Sequence, residues 1–174
     1  LKSDLQYYKS FMEWGMDGET NAFLQEVLIW LFENLPLSPN PKKLCWGDSR
    51  IGNVLFEDFQ VKSLLDWEMA TIGDPLCDLA WGLTTDDVSS HGLNIEKLPG
   101  SIANEEAIKF WEKNTGYSAE NFFYYRILCL FKFSVIMIRV AKKLIHNEIM
   151  PLDSDFHVNN HVSNYLRQEF NEKN

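Results

Sequence analysis

Ala22, Phe23, Leu24, Val27, Leu28, Trp30 and Leu31 recur at helical spacing, and Asn21 stands ahead of them as an N-cap. A helix is expected there, preceded by one over Lys2 to Glu13. Pro36, Pro39 and Pro41 stop it before the apolar run Leu44, Cys45, Trp46. The period then changes. Val54 to Glu57 and Lys62 to Leu65 are short runs rich in β-branched and apolar residues, separated by Asp58, Phe59, Gln60 and Val61, which predicts a hairpin. Beyond it, Asp74 and Pro75 form an N-cap and first-turn pair for a helix over Leu76 to Leu83. Thr84 to Gly100 reads as a loop, and Asn104 to Asn114 as a helix closed by Gly116. Ser118 should cap a long helix running to about Glu148, and Asp153 to Phe170 makes the last. The fold class is α+β, predominantly helical, with one small β-hairpin.

That hairpin gives the pattern its chemistry. With the turn centred on Phe59 and Gln60, Val54 faces Leu65 and Asn53 faces Asp66. Directly opposed residues have Cβ atoms roughly 4.5 to 5.5 Å apart, so one hard cation would reach both side chains. Magnesium takes oxygen ligands at about 2.0 to 2.1 Å and is held by one or two protein groups, completed by water and substrate phosphates. An amide oxygen and a carboxylate fit that description. Asp48 precedes Asn53 on the loop leaving the apolar run, where Gly47 permits a tight backbone and Gly52 relaxes the approach to Asn53. An ionised carboxylate in this loop can accept the proton of a substrate hydroxyl, and Arg50 can hold a phosphate oxygen.

The order Asp48, Asn53, Asp66 repeats the kinase order of catalytic Asp, metal Asn and metal Asp. The segment LLDWEMATIGDPLCDLA resembles, almost without departure, the IDWxxAxxGDPxxDLA signature of the aminoglycoside phosphotransferase and choline kinase superfamily, and WGDSRIGN is similar to its HGDxxxxN. WGDSRIGNVLF and DWEMAT resemble most the subgroup whose phosphotransferase domain is found beside or fused to acyl-CoA dehydrogenases. The match is specific over residues 44 to 81 and looser from Leu98 to Pro151. The resemblance implies the carboxyl-terminal lobe of a protein-kinase-like fold. It implies ATP- and Mg2+-dependent transfer of the γ-phosphate to a hydroxyl, with Asp48 as base, Asn53 and Asp66 as magnesium ligands, and Asn53, Asp66 and Arg50 at the nucleotide. Trp46 stands where the superfamily has His, so a role that needs an imidazole there is absent. Glu68 stands where protein kinases have the Gly of DFG.

Nearby residues need weighing against plainer roles. Asp74 and Asp78 are assigned to support rather than chemistry: Asp74 as a helix cap, Asp78 as a first-turn acid that in the resembled family braces the catalytic loop. The Glu68 side chain faces either the metal site or an acceptor. His157 and His161 have the spacing of a zinc pair but lack HExxH's Glu and a third ligand, so a solvated helix face is favoured. Phe110, Trp111, Tyr117, Phe122, Phe123, Tyr124 and Tyr125 can wall an acceptor pocket, with core packing the default for most.

Composition narrows the partners. The chain has 174 residues, 45% hydrophobic, with a formal charge of -9. This suits one globular domain and argues against nucleic acid or an anionic membrane as partner. Phe122 to Val140 contains Arg126, Lys132 and Arg139, so it reads as a buried helix rather than a membrane span. Cys45, Cys77 and Cys129 read as buried free thiols, which suits a reducing cytoplasm. The first residue is Leu1, and no GxGxxG, GxxxxGK or lysine-bearing β-rich stretch precedes residue 44. The expectation is a single kinase-like carboxyl-terminal lobe. Residues 44–81 would form its catalytic and metal loop, 84–174 its helical acceptor-binding region, and an amino-terminal lobe of the same polypeptide would clamp ATP. Asp86, Asp87, Glu96, Glu105 and Glu106 would suit a cationic acceptor. The subgroup resemblance points instead to a hydroxyacyl thioester, for whose coenzyme A phosphates Lys142 and Lys143 are weak candidates. The rival functions are a non-catalytic kinase-like binding module and a magnesium-dependent phosphohydrolase. Oligomeric state is not legible.

Overall fold

Among the described residues, helical periodicity becomes six α-helices and the short apolar runs become four short strands. The computed structural model describes residues 1–37 and 40–172; Pro39 lies outside them. The fold is α+β and mostly helical, and it divides into two compact units, Leu1–Leu35 with Ile127–Asn174, and Pro36–Arg126.

The first unit is helical. α1 (Lys2–Met16) runs on past Glu13 and ends at Asp17, which turns into the left-handed region at φ 56°. α2 (Ala22–Glu33) begins as expected, with Asn21 Oδ1 accepting from the Leu24 N–H at 3.1 Å. α5 (Phe122–His146) supplies the face on which α1 lies: Lys132 Nζ reaches Asp4 Oδ2 at 3.3 Å and the Arg139 guanidinium sits 3.8 Å over Trp14. Lys142 Nζ donates to the Met16 carbonyl at 3.0 Å, closing α1 at the negative end of its dipole. α6 (His161–Asn171) packs Phe170 edge-on against Phe23 and Trp30 of α2.

Two helix boundaries here correct the sequence reading. α5 starts at Phe122 rather than at Ser118, because Ser118 Oγ accepts from Glu120 N at 3.2 Å in a turn instead of capping the helix. α6 starts at His161 rather than Asp153. Val158 and Asn159 both donate to the Asp155 carbonyl in a turn, and Asn160 then opens the helix with a capping box closed by Ser163. His157 and His161 therefore do not share a helix face. Neither stands fully in solvent, and burial lowers the His161 pKa from its ordinary value.

The second unit carries the strands. β1 (Lys43–Cys45) pairs antiparallel with β4 (Thr71–Gly73), a strand too short for periodicity to announce. β2 (Val54–Glu57) and β3 (Gln60–Leu64) form the expected hairpin in a different register: Val54 is opposite Leu64, and Glu57 opposite Gln60. The loop is the two residues Asp58 and Phe59, both at positive φ (49° and 60°), the backbone of a tight hairpin turn. An irregularity between Leu55 and Phe56 takes up the remaining offset. α3 (Leu76–Ser90) continues beyond Leu83 through residues expected to be loop, and α4 (Asn104–Thr115) ends, as expected, on left-handed Gly116 at φ 72°.

The extension of α3 has a physical cause. Thr85 Oγ1 donates to the Trp81 carbonyl at 2.8 Å and Ser90 Oγ to that of Asp86 at 2.7 Å, so hydroxyls that favour loops are satisfied on the helix itself. Asp87, on the same stretch, is buried and meets Arg126 Nη1 and Lys97 Nζ, each at 2.6 Å, and Asn104 Nδ2 at 2.7 Å. Burial alone would push the Asp87 carboxyl up. The hydrogen bonds from Lys97 and Arg126 outweigh it and hold the pKa below the usual aspartate value. Asp87 is thus an internal anchor and not part of an acidic surface.

Candidate functional site

The segment between β1 and β2 forms the loop that carries Asp48, and the side chains around it fix the carboxylate from several sides. Asp48 Oδ2 accepts from Asn53 Nδ2 at 2.7 Å and from Arg50 Nε at 3.0 Å, while Oδ1 accepts from the indole Nε1 of Trp81 at 2.7 Å. Asn53 Nδ2 also donates to the Asp48 carbonyl at 3.1 Å. Asp48, Asn53 and Arg50 are therefore brought together as the spacing suggests. Arg50 meets the Asp48 carboxylate, which leaves its outer guanidinium nitrogens unclaimed by the described residues.

The amide of Asn53 decides what that residue can offer. Its nitrogen is spent on Asp48, so the carbonyl oxygen Oδ1 faces the other way and accepts no hydrogen bond among the described residues. The Leu65 N–H donates to the Asn53 backbone carbonyl at 2.8 Å, so Leu65 and not Asp66 is Asn53's partner across the hairpin. Asp66 follows one residue later with a left-handed backbone, φ 59°, and an exposed carboxylate that has no hydrogen bond or ion pair among the described residues. The expectation that Asn53 directly faces Asp66 is corrected by one residue, because the hairpin loop has two residues where four were expected.

Two hard oxygen groups, one amide and one carboxylate, thus stand free of other partners on adjoining backbone. Among the described residues no group of three or more His, Cys, Asp or Glu side chains could hold a metal ion. The donor set cannot cage a cation alone. It fits a magnesium ion whose other ligands are water and phosphate. Glu68 is exposed and makes no hydrogen bond among the described residues.

α3 holds the loop in place. Asp78 accepts from the backbone N–H groups of Trp46 at 2.7 Å and Gly47 at 2.9 Å, one on each carboxylate oxygen, and its carbonyl accepts from Ser49 Oγ at 2.7 Å. Gly82 lies against the Ser49 carbonyl, where a Cβ would come within 2.8 Å of the oxygen. Gly47, at φ 93°, faces the Met69 backbone, and a Cβ there would overlap the Met69 carbonyl oxygen. Gly52 has open space around it, so its expected role is not needed. The Trp46 indole donates to the Leu65 carbonyl at 2.7 Å, tying the loop to the residue before Asp66.

Asp74 is a junction rather than a simple cap. Pro75 is the N-cap of α3, while Asp74 Oδ1 accepts from the Leu76 N–H at 2.9 Å. Its carboxylate also accepts from Asn40 N and Nδ2 and from the Tyr125 hydroxyl at 2.9 Å. Burial, with Cys77 and Asp74 nearby, pushes the Tyr125 pKa far up, so this hydroxyl stays a donor. Of the aromatic set, Tyr124 and Tyr125 are core, whereas Phe110 is exposed. Cys45 and Cys129 are buried as expected while Cys77 is half-buried, none of the three is in a disulfide among the described residues, and no helix among those residues is long and apolar enough to cross a membrane.

Sequence reasoning missed Trp81 and Gly82. The signal was present: with Asp78 they occupy one helix face at i, i+3 and i+4, and that face meets the loop that carries Asp48.

The chain is similar to several known proteins. Acyl-CoA dehydrogenase family member 11 of Gallus gallus is 33% identical over 138 residues, covering 71% of this chain and 18% of that protein. The Homo sapiens protein of the same name is 44% identical over 59 residues, covering 33% of this chain and 8% of its own. The chain spans less than a fifth of the length of these relatives. A crystal structure of a candidate aminoglycoside phosphotransferase from Ralstonia eutropha superposes with a TM-score of 0.74 at 16% identity, over 97% of this chain and 52% of that one, and shows the shared fold. The model of the phosphotransferase enzyme family matches residues 3–109, more than half of the sequence, and the chain belongs to that family.

Proposed function

We propose that this chain supplies the base and the magnesium ligands of an ATP-dependent phosphotransferase whose acceptor is a hydroxyl, of hydroxyacyl thioester type. The observation that carries the reading is the two-ended use of Asn53: its nitrogen fixes Asp48 while its oxygen is left for a cation. Family membership and the kinase-like fold support the reaction class, and the names of the acyl-CoA dehydrogenase relatives support the acceptor class.

In this reading Asp48 accepts the proton of the acceptor hydroxyl as its oxygen bonds to the γ-phosphorus. The bond from that phosphorus to the β–γ bridging oxygen breaks, and ADP leaves with the electron pair. Asn53 Oδ1 and the Asp66 carboxylate would hold magnesium, which when bound neutralises charge on the phosphates. Arg50 would exchange its contact with Asp48 for a phosphate oxygen. Asp78 and Asp74 keep the loop in register, and the lobe that clamps the nucleotide is supplied from outside these residues.

The test is an acceptor screen with γ-labelled ATP and magnesium, using hydroxyacyl thioesters beside aminoglycosides and free hydroxy acids. Label is expected on a hydroxyacyl thioester, with Asp48→Asn lowering transfer roughly 100-fold or more. Free phosphate as the sole product would turn the reading into a phosphohydrolase, and nucleotide binding without turnover would leave a binding module.

A further inference from the structure

The geometry points to Trp81 as a positioning residue that selects Oδ1 of Asp48 as the oxygen taking the acceptor's proton. This rests on the phosphotransferase reading of Asp48. A carboxylate oxygen offers two lone pairs. Those of Oδ2 are both engaged, by Asn53 Nδ2 and Arg50 Nε, whereas among the described residues Oδ1 carries only the bond from Trp81 Nε1 at 2.7 Å. One site on Oδ1 remains for a substrate hydroxyl.

An indole suits this task because it donates and never accepts, so it orients the carboxylate without competing for the proton. Trp81 is only 4% exposed, which shields the bond from exchange with water. Its helix is held against the same loop on both sides of the indole, by Asp78 on the Trp46 and Gly47 amides and by Gly82 on the Ser49 carbonyl. The ring therefore has little freedom to release Asp48. Charge-assisted hydrogen bonds of this length are the stronger kind, and losing one at a reacting group is felt in turnover.

Two measurements test the assignment. In nitrogen-labelled protein the six tryptophans give six indole N–H resonances. That of Trp81 should lie downfield and exchange slowly, and Asp48→Ala should move it upfield and speed its exchange while the others hold. A Trp81 resonance indifferent to Asp48→Ala overturns the proposal, and this arm does not depend on how well a Trp81 variant folds. In Trp81→Phe, transfer of label from magnesium and γ-labelled ATP to a hydroxyacyl thioester should fall roughly 10- to 100-fold in kcat with KM for magnesium–ATP unchanged. An unchanged kcat, or a rise in KM alone, overturns it. If the unsubstituted protein transfers no label from magnesium–ATP to any acceptor of the screen, the phosphotransfer reading falls, while the indole resonance still decides whether Trp81 holds Asp48.

Discussion

Asn53 and Gly47 show what single residues contribute to the site. Asn53 is nearly buried, and its one amide both fixes the carboxylate of Asp48 and leaves an oxygen unpaired. Gly47 matters for what it lacks. At φ 93° and with the Met69 carbonyl where a Cβ would stand, Gly47→Ala should destabilise the protein by about 2 kcal/mol or more, read as a lower denaturation midpoint in urea. An unchanged midpoint would mean the loop can move away from Met69 at no cost. The meeting of Asp48, Arg50 and Asn53 was legible in the sequence because their spacing is local. The work of Trp81 was not, since a tryptophan in an apolar helix reads as core until a tertiary contact gives its N–H a carboxylate. Arg50 was read as a phosphate contact alone, and its bond to Asp48 shows a second use that composition could not reveal.

At the scale of elements, α3 joins the site to the core of its unit. Its amino-terminal half braces the Asp48 loop and its carboxyl-terminal half is pinned by Asp87 to Arg126, Lys97 and Asn104. Thr84 to Ser90 looked like loop because Thr, Asp and Ser compete with helical hydrogen bonds locally. Buried partners and hydroxyls turned back onto the helix reverse that preference. Asp87→Asn would remove the buried carboxylate that Arg126 and Lys97 share and should cost about 3 kcal/mol, measured by chemical denaturation at neutral pH. Because the folded pKa of Asp87 is depressed, its contribution is fully present above the ordinary aspartate pKa of about 3.9 and is lost as pH falls through the lower folded value. The stability gap between the two proteins should therefore be flat near neutrality and narrow below about pH 4; a gap that widens with acid would contradict the ion-pair account. The hairpin was legible as a hairpin, but its register was not. A two-residue turn with a non-glycine residue at both positive-φ positions has no strong sequence signal, and β4 is too short to show a period.

For the whole molecule, two compact units each have a clear internal logic. One is a helical assembly sealed by aromatic and cation–π contacts, and the other is a loop-bearing unit with its carboxylates at the strand ends. Fold class and family were legible from the motif over residues 44–81, since that stretch carries the site and its bracing together. The division into units was not, because α5 runs through the boundary at Arg126 and Ile127 without a break in its apolar pattern. The central claim is that Asn53 and Asp66 hold magnesium for phosphoryl transfer by Asp48. The most direct measurement is the magnesium dependence of ATP turnover in Asp66→Asn. Asparagine tolerates the left-handed backbone at φ 59°, so this variant removes the charge and spares the turn. A loss of at least about 100-fold in magnesium-dependent turnover at an unchanged melting temperature is the result predicted. Turnover with the magnesium dependence of the unsubstituted protein would contradict it.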